Sequence, residues 1–347
     1  MFVLSSDITI GKFRFSGVNE VIVKRSIHSI VDTAIIKIPS IGKIIRKNRV
    51  DPGTVVTGKQ FTDGDLVTIK LGYNGQLQTE FIGFVKRRNL SMPLEIECEG
   101  YSWLLRRSNV NIFEKAVTVK DLLHRIVANI ESGYKINVAC AVGLTLENVY
   151  MPNISGFDAI SNVSTYTDGA LSCFFIRPDT LWCGLIYTPY ANDNDGFKLE
   201  HVSYQLGYNA LKDNSLKERL TENDPIKVVY SSATSNGDKI SGASDVLLQS
   251  GRTYSKILNA VKDEAGLKQL ANEKVYRANY AGYEGHINAF LQPYAAPGVL
   301  AEVIDNRYTE RRGTYLVEST EVHFGINGGR RLVELGPQTG FAKQVTG

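Results

Sequence analysis

Residues 63–100, DGDLVTIKLGYNGQLQTEFIGFVKRRNLSMPLEIECEG, leave few folds open. Val67, Ile69 and Leu71 alternate with Thr68 and Lys70, the period of a strand buried on one face. Asn74-Gly75 follows, a strong hairpin signal, because a type I′ turn needs positive φ at both central residues. A second strand runs through Phe81, Ile82, Phe84 and Val85. After Met92-Pro93 comes a third, in which Leu94, Ile96 and Cys98 alternate with Glu95, Glu97 and Glu99. The same order of strands and turns returns at residues 297–336, PGVLAEVIDNRYTERRGTYLVESTEVHFGINGGRRLVELG. A turn residue precedes Leu66-Val67 in one copy and Val299-Leu300 in the other. A basic pair and a glycine-containing turn recur, at different places in the two copies. The identity between them is too low to prove duplication, but the pattern predicts two small β-barrels in one chain.

Between and around them the pattern changes. Residues 7–38 read as strands: a hairpin turning at Gly11-Lys12, then Val21 and Val23 on one face, then Ala34, Ile36 and Ile38, closed by Pro39. Residues 40–62 read as a long loop or a strand with a protruding tip, a length that is usually functional. Thr118 caps a helix whose stripe is Leu122, Leu123, Ile126, Val127 and Ile130, with Gly133 beyond it. A second helix starts near Ser155, carries Phe157, Ile160, Val163 and Tyr166, and ends at Gly169. Strands 170–177 and 181–189 follow, joined at Pro178-Asp179, and Asn192 to Gly196 reads as a polar turn. Extended chain returns at 197–250, with Phe197, Leu199, Val202 and Tyr204 and then residues 225–230 strand-like. A helix is predicted over 263–278 and a strand over 284–294. The predicted fold class is mainly β with an α+β insert: two similar small β-barrels flanking a helix–helix–hairpin module. The division is 1–110 for the first barrel, 111–196 for the α+β module, and 197–347 for returning strands, a helix and the second barrel.

At 347 residues the chain can hold two or three cores. A net charge of +3 gives no support to a nucleic-acid binder, whose domain should be strongly basic. No basic start precedes an apolar run, so no signal peptide is expected, and no stretch reaches the roughly 20 apolar residues of a membrane span. The cysteines Cys98, Cys140, Cys173 and Cys183 have no paired short spacing and read as small hydrophobes of a reducing compartment.

Motifs for chemistry are missing. There is no nucleophile elbow, phosphate loop, dinucleotide fingerprint or zinc-protease helix motif. The histidines His28, His124, His201, His286 and His323 are scattered, and His124 has no His or Cys one helical turn away. Counting Gly196 as the sixth position of a calcium loop puts Val202 at the twelfth, where glutamate is needed. Glu95, Glu97 and Glu99 lie on one face of one strand and read as a solvated face, whereas acid–base work needs groups converging from different elements. No catalytic residue, cofactor or metal is expected, and the chain is not expected to be an enzyme.

Basic clusters are the recurring oddity: Lys86-Arg87-Arg88, Arg106-Arg107, Arg311-Arg312, Arg330-Arg331, and Lys43, Arg46, Lys47 and Arg49 in the long loop. Solvated protection of strand ends is one reading. Inter-subunit salt bridges, or the lining of a nucleic-acid channel, is the other, although few aromatics interleave with the basic residues. Arg46, Lys47, Arg49, Arg87, Arg88, Arg311 and Arg312 are the candidate interface residues.

Taken together, Gly64-Asp65-Leu66-Val67 with GYNGQLQTEFIGFV, PLEIECEGYSWLLRR, the segment Thr118 to Thr188, and residues 210–232 and 284–336 resemble the baseplate hub proteins of contractile-tailed phages. This is the late control D group, related to the hub part of type VI secretion spike proteins. The resemblance spans nearly the whole chain and rests on order and pattern. It implies two similar barrels around an α+β domain in a homotrimer, hence six similar units in a ring. It also implies contact with a hexameric tail tube, a spike and other baseplate proteins, in a virion tail assembled in the host cytoplasm. The chain ends about ten residues after its last predicted strand, so a separate spike protein is expected, with no membrane and no specific nucleic acid as partner. A tail-associated cell-wall hydrolase is a rival without converging nucleophilic or acidic residues. A carbohydrate- or receptor-binding β module is another, kept open by 17 tyrosines, although Trp103 and Trp182 are the only tryptophans.

Overall fold

The computed structural model describes residues 3–46, 49–50, 53–131, 133–188, 200–219, 226–234, 236–245, 252–280 and 282–338. The Asn192–Gly196 turn, Phe197, Leu199 and Lys47 lie outside them. The hairpin of 63–100 forms as its alternation requires. Strand Leu66–Tyr73 pairs with Gln76–Asn89 across Asn74 and Gly75, whose φ values are 53° and 80°. Leu94–Glu99 then pairs with Gln76–Asn89. The 14-residue strand carries a bulge between Thr79 and Phe81, so Glu80 departs from the alternation.

The largest sheet has 15 strands. Its main path, antiparallel throughout, runs Ala210–Asn214, His286–Ala289, Gly328–Gln338, Gly313–Gly325, Glu20–Ser26, Thr33–Ile38, Leu94–Glu99, Gln76–Asn89, Leu66–Tyr73, Leu4–Ile10, Phe13–Phe15. The N-terminal and C-terminal β units are therefore continuous, joined where Val322 faces Val23. Two cores lie along this sheet. One holds Ile8, Ile10, Val21, Val23, Ile36, Val67, Ile69, Leu71, Phe81 and Ile96, together with Leu291, Val322 and Phe324 from the far end of the chain. The other holds Tyr204, Ile287, Ala289, Val299, Ala301, Val303, Tyr315, Val317, Val333 and Leu335. Strand Gly313–Gly325 supplies side chains to both. The Tyr73 hydroxyl, at the end of its strand, donates to Gly329 O at 2.7 Å and brings the N-terminal hairpin against the C-terminal one.

The third large core is built on four α-helices: α1 (Ser102–Arg107), α2 (Val119–Val127), α3 (Gly156–Tyr166) and α4 (Glu264–Ala278). Three begin as their sequences dictate. Thr118 and Ser155 accept from the backbone N–H of Asp121 and Asp158, both at 3.1 Å, and Asp263 accepts from Ala265 and Gly266. Strands Ser172–Arg177 and Thr180–Gly184 form the expected hairpin, and Asn137–Cys140 adds to it in parallel.

Several expectations need correction. Residues 109–118 and 145–155 form a long antiparallel ribbon that periodicity had not marked. Residues 102–107 form a short helix that the sequence reading had not marked. Helix α2 ends at Val127, three residues before Ile130. The segment 226–278, assigned by sequence to the last third, packs its Val228, Tyr230, Leu267, Leu270 and Val275 against Leu122, Val149 and Ile160 of the middle module.

Candidate interaction surface

Residues leaving the strand Thr33–Ile38 at Pro39 build a narrow ribbon. Ile41–Gly42 pairs with Val55–Val56, and Ile45–Arg46 pairs with Arg49–Val50. Of the two expectations, a long loop or a strand with a protruding tip, the described residues show two short antiparallel strand pairs. Its base is held by Thr57 N donating to Ser40 O at 2.9 Å and Ser40 Oγ donating to Ser91 O at 3.2 Å. Register places neighbouring turns on the same rim: Leu94 faces Ile38, Lys37 faces Glu20, and Glu20 faces Gly325. Along that rim Leu90, Met92 and Ile326 are 78%, 87% and 87% exposed, and Ile41 and Ile45 are exposed on the ribbon. One such residue would mean nothing. Five large aliphatics on one rim, two of them on a segment carrying Lys43, Arg46, Lys47 and Arg49, have the composition of a contact surface.

The candidate arginines fall in different places. Arg46 and Arg49 face each other across the tip of the ribbon. Arg88 sits at its base, where it donates to Phe61 O at 2.5 Å and pairs with Asp63 at 3.2 Å. Arg87 projects from the sheet and pairs with Glu97 at 2.5 Å, which holds the Glu97 carboxyl below its ordinary range. Arg311 and Arg312 belong to the other β unit, in the turn after strand Leu300–Ile304. Arg312 donates to Asp305 O at 3.0 Å and to Asn306 Oδ1 at 2.7 Å. Arg311 lies 3.6 Å from Asp305 and stacks over Tyr308 at 4.6 Å. With exposed Tyr208 and Tyr308 this turn presents arginine beside tyrosine, a pairing enriched where proteins meet.

Two residues read as solvated are interior. Glu99 is fully buried and accepts from Arg106 at 2.7 Å and Ser102 at 2.8 Å. Burial alone would raise its carboxyl, yet these donors bring it below its ordinary value. Arg331, expected at a strand end, is 1% exposed and pairs with Glu80 at 2.6 Å. The bulge at Glu80 explains this, because it turns one carboxylate inward where alternation offered no warning. A second buried pair, Arg25 with Asp32 at 3.0 Å, lies close by. Arg25 also donates to Tyr294 Oη at 3.0 Å and to Phe175 O at 2.9 Å. Tyr294 lies under the Arg331 guanidinium at 4.8 Å. All three cores therefore meet at this charged knot, beside a cavity of about 350 Å³ lined by Arg25, Glu80, Arg177, Glu200 and Tyr294. Every charge in the knot has a protein partner, which makes it a structural joint. Among the described residues no group of three or more His, Cys, Asp or Glu is arranged to hold a metal ion. No helix among them is long and apolar enough to cross a membrane.

No protein-family model matches the sequence, and no curated protein matches it. Solved structures do match the fold. A tail protein from Neisseria meningitidis MC58 superposes with a TM-score of 0.64 at 12% identity, over 96% of each chain. The 43 kDa tail protein of prophage MuSo2 from Shewanella oneidensis superposes with a TM-score of 0.61 at 12% identity, over 96% of this chain and 98% of that one. The chain has a phage tail-protein fold. An E. coli component of the type VI secretion system, itself structurally similar to the T4 bacteriophage tail proteins gp27 and gp5, gives a TM-score of 0.55 at 11% identity. That match covers 95% of this chain and 76% of the other. The phage tail-protein fold thus accounts for nearly the whole chain, as the resemblance read from residues 64–107, 118–188, 210–232 and 284–336 implied.

Proposed function

We propose that this chain is a structural baseplate hub of a phage tail or a phage-tail-like injection machine. The observation that carries the reading is the end-to-end likeness to two tail proteins, over 96% of this chain in each case. Each subunit contributes two β-barrel-like units, one around the core of Ile8, Val67 and Ile96 and one around that of Ile287, Val303 and Val333. The α+β module rides between them. Three subunits present six such units in a closed ring, since rotational symmetry is the ordinary route to closed assemblies. A hexameric tail tube stacks on one side of the ring and a separate trimeric spike occupies the other. The role is adaptor and plug, not catalysis, and its place is the tail baseplate, after assembly in the host cytoplasm.

Within this reading the ribbon with Arg46, Lys47 and Arg49, the base at Arg88 and the adjacent Arg87 form one contact region. Arg311 and Arg312 form another, on the second β unit. The exposed aliphatics Ile45, Met92 and Ile326 provide the buried area of the first contact, and the arginines set its orientation. The test is the native mass of the purified chain, alone and with its neighbouring tail proteins, across a concentration series. A particle holding three copies of the 38.4 kDa subunit, alone or with partners added to that mass, is the expected result. A chain that stays monomeric in both overturns the proposal.

A further inference from the structure

Three of the four cysteines, Cys140, Cys173 and Cys183, stand in one row across a three-stranded sheet. Strand Thr180–Gly184 lies in the middle, with Asn137–Cys140 parallel on one side and Ser172–Arg177 antiparallel on the other. Register puts Cys183 directly opposite both Cys140 and Cys173. None of the three is in a disulfide, and the Sγ atoms of Cys173 and Cys183 are 3.1 Å apart. Cys140 and Cys183 are buried in the middle core, whereas Cys173 is half-buried on the outer strand.

We propose that Cys173 and Cys183 are a disulfide-forming pair, closed by thiol–disulfide exchange with a small-molecule disulfide. Three features carry the assignment. Residues directly opposite on antiparallel strands have Cα atoms about 4.5–5.5 Å apart, inside the range a disulfide spans. The two sulfurs need to approach by only about 1 Å to reach bonding distance. The ladder is irregular between Phe175 and Arg177, two residues from Cys173, so the strand that carries Cys173 is not locked into a regular register there. The chemistry balances as two exchanges. The Cys173 thiolate attacks one sulfur of glutathione disulfide, forms a mixed disulfide and releases one glutathione. Cys183 then gives its proton to the glutathione thiolate released in the first exchange, and its own thiolate attacks Cys173 Sγ and expels the second glutathione. Two electrons pass from the two protein thiols to the glutathione disulfide, which leaves as two thiols. The order follows exposure, because Cys173 is the one member of the row that solvent reaches. The second step is the slow one, since hydrogen bonds with Cys140 and Cys173, and burial, hold the Cys183 thiol well above its ordinary value. Its rate rises with pH.

The pair does not depend on the proposed hub role. Its test is to incubate the native chain with glutathione disulfide at mildly alkaline pH, quench with acid, denature, alkylate and weigh. The expected product has lost two of its four thiols and carries no glutathione. Arg177 precedes Pro178, so trypsin leaves Cys140, Cys173 and Cys183 in one fragment, and chymotrypsin is used to map the link. The link joins the fragment ending at Phe174 to the one beginning at Cys183. Cys183→Ala halts at a Cys173–glutathione adduct, and Cys173→Ser keeps its three remaining thiols. The half-buried Cys173 site tolerates serine even if the core position 183 does not tolerate alanine. Four thiols persisting in the unaltered chain, a stable glutathione adduct on it, or a link through Cys140 or Cys98 overturns the proposal.

Discussion

Removing one partner of the Arg331–Glu80 pair should cost far more than removing both. Each side chain is 1% exposed, and the two meet at 2.6 Å. Burial pushes the Glu80 carboxyl above its ordinary value despite the guanidinium beside it, so the ionic form is held at a cost. Glu80→Leu strands Arg331 among apolar neighbours. It keeps the bonds from Nη1 to Ala295 O at 3.0 Å and from Nη2 to Leu291 O at 3.3 Å, but nothing replaces the charge. Its Nε has no partner even in the intact protein. A buried charge left uncompensated costs about 3–5 kcal/mol. Glu80→Leu combined with Arg331→Met removes both desolvation penalties and keeps similar volume, and such exchanges run from neutral to about 4 kcal/mol stabilising. Urea unfolding of the parent, the two single variants and the double variant, followed by far-UV circular dichroism, gives the coupling energy directly. A single variant that loses under about 1 kcal/mol would refute the reasoning, as would a double variant no more stable than the weaker single one.

Glu273 is fully buried on α4, accepts from Tyr187 N at 2.9 Å and Thr188 Oγ1 at 2.5 Å, and is pushed up to about 7 mainly by burial. The folded protein keeps that proton to about pH 7 while the unfolded chain releases it near 4.5, so stability falls as pH rises between those values and then levels. The fall is about 3 kcal/mol, and Glu273→Gln should flatten it in urea midpoints measured from pH 5 to 8. Asp168 works with the opposite sign. Burial opposes its charge, but Lys256, Tyr230, Lys274 and Tyr254 hold its carboxyl below the ordinary value. The stabilisation is complete above the ordinary carboxylate range and is lost as pH falls through the depressed value. Asp168→Ala leaves the Tyr230 hydroxyl without its 2.9 Å acceptor and should cost about 1–3 kcal/mol, read as a lower melting temperature at neutral pH. Arg46→Glu with Arg49→Glu should leave the melting temperature unchanged and abolish co-purification of the neighbouring tail proteins. Undiminished co-purification would remove the ribbon tip from the contact region.

The parts of the fold visible in the sequence were those with strong local grammar. Asn74-Gly75, Thr118 and Ser155 announce their turn and caps through chemistry that needs no distant partner. The ribbon of 109–118 and 145–155 escaped notice because Asn148 and Asn153 adopt positive φ and Pro152 interrupts the second strand's alternation. Helix α4 was placed correctly along the chain but with the wrong neighbours. Its stripe of Leu267, Leu270 and Val275 fits any apolar surface, and only tertiary packing selects the middle core. The charged knot was invisible for a related reason, since a bulge at one residue turned Glu80 inward to meet Arg331. Of the candidate interface residues, the sequence located the ribbon but not the aliphatic rim, which exists because register sets Pro93 and Ile326 beside it.

Strand Gly313–Gly325 has a consequence for the order in which the molecule can come into being. Val23 finds its strand partner in Val322, and the N-terminal core takes Val322 and Phe324 as members. A ribosome makes the first of these long before the last. Throughout most of translation, strand Glu20–Ser26 has one edge open and its core lacks a wall. That half must wait, shielded or loosely collapsed, until strand Gly313–Gly325 has been made. Truncations that stop before residue 313 should therefore spoil the N-terminal unit as thoroughly as the C-terminal one. No nascent fragment that stops short of that strand holds a finished N-terminal core.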